Sequence, residues 1–260
     1  MRQKLVVGIL GALMGLSFFG SSASADLRLR VEDLTSGQGA VITDGGANDL
    51  NPALGAITFM AVGGGLGNFS INVTTGLSKP AIGGITDFGQ IDLNSVNVLS
   101  TGTGTLRLTL EDTGFVADPL SIIHVLGAVG GTLIAPAGST ITVQSWANGD
   151  NLVPDLGADQ SLGPLGAIGL TPAGSVPVWT PAFVSGPGAF SSSSSGLFDN
   201  GTDSTFSLFA QVTVNFTGAG NVSFDESQKA VPEPASLLLL GAGVAGLGLL
   251  ANRRRQRLNN

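Results

Sequence analysis

The chain has 260 residues and a mass of 26.0 kDa, enough for one medium or two small domains. It has only 11% charged residues, a mean hydropathy of +0.38, 40 glycines without a three-residue period and no cysteine. These figures exclude charge-driven disorder, collagen and any disulfide scaffold. The single histidine excludes any site built on two imidazoles.

Residues 1–25 read as a secretory leader. Arg2 and Lys4 supply the positive start, Leu5 to Phe19 is apolar apart from Ser17, and Ala23-Ser24-Ala25 is a small-residue cleavage site. Signal peptidase is expected to cut before Asp26, placing the mature chain outside the cytoplasm. The absence of cysteine is compatible with export, because a domain this large buries its own core without disulfides.

Residues 26–225 read as an all-β ectodomain. Period-two alternation recurs: Leu27, Leu29 and Val31; Leu106, Leu108 and Leu110; Ile141 and Val143; and Phe206 through Phe216. Each pattern gives a strand with one wet face, the mark of antiparallel sheet. Further strands are expected around Ile57–Ala61, Phe69–Thr74, Ile91–Leu99 and Ile122–Leu126, separated by Gly, Asn and Asp turns. Eight or more short strands without helices imply an antiparallel two-sheet sandwich, jelly-roll-like.

Residues 154–195 break the rhythm, with six of the 12 prolines between Pro154 and Pro187 and a pure serine run from Ser191 to Ser195. They read either as a linker or as a long excursion from one sandwich. The excursion is favoured, because the Phe206–Phe216 strand must find its partners in the first half. Residues 226–230 read as a stalk.

Between Asp26 and Val231 there are five Lys and Arg against 17 Asp and Glu, a net charge of −12. Nucleic acid and anionic lipid, which demand a basic face, are therefore not expected partners. Divalent cations remain, and Asp44, Asn48, Asp49 and Asn51 crowd oxygen ligands into one glycine-containing loop. Calcium takes such ligands, although the EF-hand spacing and terminal Glu are missing, and an Asx-rich turn uses the same residues. No other cofactor is indicated.

No catalytic constellation emerges. His124 lacks a Cys, a G-x-S-x-G nucleophile or a second His, and reads as a strand residue. Glu111 and Asp112 are adjacent, so a strand turns them to opposite faces and they cannot jointly flank a glycosidic bond. Trp146 reads as core, and Trp179, within the proline-rich stretch, as the candidate to stack on a sugar.

The last segment, residues 231–257, has three parts. Val231-Pro232-Glu233-Pro234 is expected to be extended and exposed, because proline fixes its own φ and disfavours helix in its predecessor. Ala235 to Ala251 is a run of 17 uncharged residues, seven of them Leu. As a helix it would be about 25 Å long, a short transmembrane span. Arg253, Arg254, Arg255 and Arg257 follow and bias that end towards the cytoplasm. This tail resembles the PEP-CTERM sorting signal of exopolysaccharide-producing Gram-negative bacteria. The resemblance implies recognition by an exosortase, a membrane-embedded cysteine peptidase-like transpeptidase. It also implies transit through the inner membrane to the cell surface or extracellular matrix. The expected role is structural or adhesive in the exopolysaccharide layer, without enzymatic activity; the alternatives are a carbohydrate-active enzyme or a calcium-dependent carbohydrate-binding module.

Overall fold

The structure is a computed structural model that describes residues 27–79, 82, 89–117, 122–166 and 171–232. The expected leader with its cleavage residues Ala23, Ala25 and Asp26 lies outside the described residues, as do Glu233, Pro234, the apolar run and the four arginines. Among the described residues, no helix is long and apolar enough to cross a membrane.

The strands are β1 (Arg28–Asp33), β2 (Gln38–Thr43), β3 (Ala56–Leu66), β4 (Phe69–Leu77), β5 (Gly89–Ser100), β6 (Thr103–Val116) and β7 (Ile122–Ile134). They continue with β8 (Thr140–Asn148), β9 (Gln160–Pro164), β10 (Val176–Pro177), β11 (Phe183–Ser185), β12 (Gly188–Asp199), β13 (Thr205–Thr217) and β14 (Gly220–Pro232). One sheet has the order β10-β8-β13-β6-β1-β2-β9, with β11 also on β8; the other has β12-β7-β14-β5-β4-β3. Every pairing is antiparallel.

The chain shuttles between sheets from β5 onwards. The ladder β5-β14-β7-β12 faces β6-β13-β8 with β11, which is jelly-roll connectivity. β1, β2 and β9 widen one sheet, and β3 and β4 widen the other.

Alternation explains the core. Phe206, Leu208, Ala210, Val212, Val214 and Phe216 are all buried along β13, and Val222 and Phe224 face them from β14. Phe69 meets Phe216 at 5.9 Å between ring centroids, and Phe206 touches both Phe115 and Phe198 at 5.4 Å.

Three expectations are corrected. Residues 226–230 are no stalk: they lie inside β14, paired with β5 on one side and β7 on the other. The stretch 154–195 supplies β9, β10, β11 and the first part of β12, so it is built into the sandwich edges. Val231 and Pro232 are extended as expected, but they are paired with His124 and Ile123 of β7 instead of hanging free.

Candidate functional site

The two outer faces differ. On the larger sheet, the segment after β8 lies across β1. Arg30 donates to the carbonyls of Leu156 at 3.1 Å and Gly166 at 2.6 Å, and Leu156 is fully buried. Beneath it, Arg28 pairs with Glu111 at 2.5 Å, and Glu32 bridges Arg30 and Arg107. Burial pushes the Glu111 carboxyl up to about 8, outweighing the opposing pull of Arg28. Asp112 takes the opposite side and accepts from Ser78 at 2.5 Å and Lys79 at 2.8 Å. Glu111 and Asp112 thus serve separate partners, Arg28 on the outer face and Lys79 with Ser78 on the other.

On the smaller sheet the outer face is open. The register lines up Met60, Asn72, Asn97, Ser223, Thr132 and Ala189 in one row across all six strands. A second row holds Ser70, Leu99, Asn221 and Ile134. Met60, Val62, Leu99 and Ile134 are all more than half exposed. Between the rows runs a shallow groove of about 310 Å3, with Asn72, Asn97 and Asn221 beside Met60, Val62 and Leu99. Further along the same face, Ala128 and Gly130 leave a depression of about 460 Å3 flanked by Asp92 and Asp225. The small side chains create the hollow, and the strands on either side supply its acids. Desolvation, reinforced by Asp225, raises Asp92 to about 6.

Under this face lies a buried polar pair on β14. Glu226 is 1% exposed, and neither carboxylate oxygen has a hydrogen-bond partner. Burial, with a smaller contribution from Asp92, pushes it up to about 8. Gln228 is fully buried and donates to the Trp146 carbonyl on the facing sheet at 2.9 Å.

The sequence-predicted oxygen cluster is one loop; Asp49 and Asn51 bond the loop's own backbone, while Asp44 Oδ1 is buried without a hydrogen-bond partner. Asp49 accepts from the backbone of Gly45, Asn51 and Thr58, and Asp44 from that of Gly55. Asn51 caps Ala53, while Asn48 reaches away to Asp159. Among the described residues, no group of three or more acidic or histidine side chains is arranged to hold a metal.

Neither tryptophan sits where the sequence reading put it. Trp179 is only 6% exposed and packs against Phe183, so it fills core. Trp146 is half-buried and stacks on Phe209 at 5.1 Å, on the outer side of β8 and β13. His124 pairs with Leu197 and Val231 in the β7 ladder, as a strand residue should. The groove residues went unnoticed in the sequence because they come from β3, β4, β5 and β14; the only local trace is the repeated Asn on wet strand positions.

Residues 230–255 match the model of the PEP-CTERM protein-sorting motif. The chain carries a PEP-CTERM sorting signal. The signal implies export, a membrane-anchoring C-terminal segment and processing by an exosortase. Its first residues, Ala230, Val231 and Pro232, are the last three of β14, so the PEP-CTERM signal begins within a central strand of the sandwich. No curated protein matches the chain. Among solved structures, the chain is similar to TmCBM61 in complex with beta-1,4-galactotriose. The identity is 10%, the TM-score 0.26, and the match covers 65% of this chain and 92% of that one. It is also similar to a family 11 carbohydrate-binding module from Clostridium thermocellum, with 10% identity, a TM-score of 0.27 and coverage of 77% and 95%. A carbohydrate-binding module of the beta-sandwich superfamily matches at 13% identity and a TM-score of 0.26, over 80% and 73%. At these TM-scores the likenesses say nothing about this chain's fold or ligands.

Proposed function

We propose that this protein is a non-enzymatic structural or adhesive component of the cell surface or extracellular matrix. Its sorting signal delivers it there, and the groove on β3, β4, β5 and β14 contacts uncharged exopolysaccharide. The observation that carries this reading is the groove's composition. Asn72, Asn97 and Asn221 offer amide donors and acceptors to hydroxyl groups, while Met60, Val62 and Leu99 offer apolar surface to the C–H faces of sugar rings. An open sheet face suits a long polymer that lies across it. Electrostatics favours a neutral chain: Arg30, Lys79 and Arg107 are each tied to a carboxylate, in a strongly acidic ectodomain.

Co-sedimentation of the purified protein with neutral and with anionic polysaccharide tests this. The neutral polymer should pull the protein down with little salt dependence, and the anionic polymer should not. Leu99→Asp, which places a charge among the apolar contacts without touching the core, should weaken the binding about tenfold or more. Equal sedimentation of wild type and Leu99→Asp would refute the groove.

A further inference from the structure

β12 is one of the two edge strands of the six-stranded sheet, β3 being the other. It runs 12 residues from Gly188 to Asp199 and pairs with β7 in unbroken register. Among the described residues, no backbone hydrogen bond leaves its other side. Exposed edges are normally blunted by short length, proline, charge or bulges, because their unpaired N–H and C=O groups invite another strand. The other edges of this sandwich follow that rule. β9 has five residues, ends in Pro164 and breaks register; β10 has two residues, including Pro177; β3 breaks register twice. β12 has no proline, no register break and no charge before Asp199.

Its sequence is also complementary to itself. Pairing two copies antiparallel about a two-fold axis at Ser193 sets Gly188 opposite Phe198, Ala189 opposite Leu197 and Phe190 opposite Gly196, with serines opposite serines between. Every large residue meets a small one, and no like charges meet. We propose that β12 is a homotypic assembly edge: it pairs with β12 of a second copy of this chain and joins two six-stranded sheets into one continuous antiparallel sheet.

The symmetry constrains where this happens. Only a two-fold perpendicular to the sheet makes antiparallel neighbours of one strand with itself, and that axis also reverses β14. The two C-termini therefore leave from opposite ends of the dimer. Copies anchored side by side in one bilayer cannot pair this way; copies released by tail processing, or standing on two facing surfaces, can.

The chain has no cysteine, so single substitutions report cleanly. Ser193→Cys places two thiols across the axis, where paired antiparallel residues lie about 4.5–5.5 Å apart between Cα atoms, within disulfide reach. The experiment is mild oxidation of the exported, processed protein and of the full chain in detergent, with sizing by light scattering. Ser193→Cys should form a covalent dimer, whereas Ser223→Cys on the central strand β14 should not. Ser193→Lys should weaken dimerisation by about tenfold or more, through facing ammonium groups, with an unchanged melting temperature. A protein that stays monomeric at all concentrations overturns the proposal. So does a dimer that survives Ser193→Lys, or equal cross-linking through Ser193→Cys and Ser223→Cys.

Discussion

Glu226 is the residue at which pattern and environment disagree most. On β14 it follows Val222 and Phe224 into the interior, so alternation buries a carboxyl where a hydrophobe belongs. Its ordinary value of 4.5 rises to about 8, and it is held protonated at neutral pH. Below pH 4.5 both folded and unfolded chains bind this proton, and its contribution to stability is complete. Between there and about pH 8 the unfolded chain releases the proton while the folded chain keeps it, so stability falls as pH rises. Glu111, raised the same way, adds to this trend. Thermal melts should show a more stable protein at pH 5 than at pH 8. Glu226→Gln should flatten that slope by up to about 1.4 kcal/mol per pH unit; an unchanged slope would show that Glu226 is solvated. Asp49 makes a second residue-scale case. Its carboxylate receives three backbone N–H groups, so Asp49→Ala should cost about 1–3 kcal/mol. Denaturant titrations of wild type and Asp49→Ala measure that loss.

At the scale of elements, β13 is legible because Phe206, Leu208, Ala210, Val212, Val214 and Phe216 recur at every second position and face a single core; only Phe209 breaks the polar alternate row. β12 is not. An edge strand needs few apolar residues, and only Phe190 and Phe198 mark its inner side around the serines. Residues 226–230 read as a stalk because Glu226, Ser227, Gln228 and Lys229 are polar. What makes them strand is pairing on both sides, which is invisible locally. The tryptophans misled for a related reason: proximity to a clear strand did not tell which face Trp146 takes, and a proline-rich context did not tell that Trp179 plugs the core. β7 adds a close approach. A Cβ on Gly131 would meet the Ser223 carbonyl at 2.3 Å and the Phe224 Cα at 2.8 Å, on the neighbouring strand. Gly131→Ala should therefore destabilise by about 1–3 kcal/mol through forced displacement of β14; a wild-type denaturation midpoint would contradict this packing.

For the whole molecule, the all-β class and the sorting tail are readable from sequence, while the groove on the smaller sheet is not. The tail's three parts follow one another in the sequence, so they are recognisable along the chain. The groove is assembled from strands far apart in sequence, and only register brings Asn72, Asn97 and Ser223 into line. The junction between sandwich and tail also needed the fold: β14 continues to Pro232, so the motif match begins inside the sheet, and Glu233 and Pro234 lie outside the described residues. Substituting these two should spare the sandwich and test sorting alone. The decisive measurement is fractionation with intact-mass determination of wild type and Glu233→Ala/Pro234→Ala in a host with a matching exosortase. Wild type should be recovered at the surface or in the matrix with its tail processed. The double variant should remain full length after leader removal and stay in the inner membrane. A double variant processed and delivered like wild type would contradict the account.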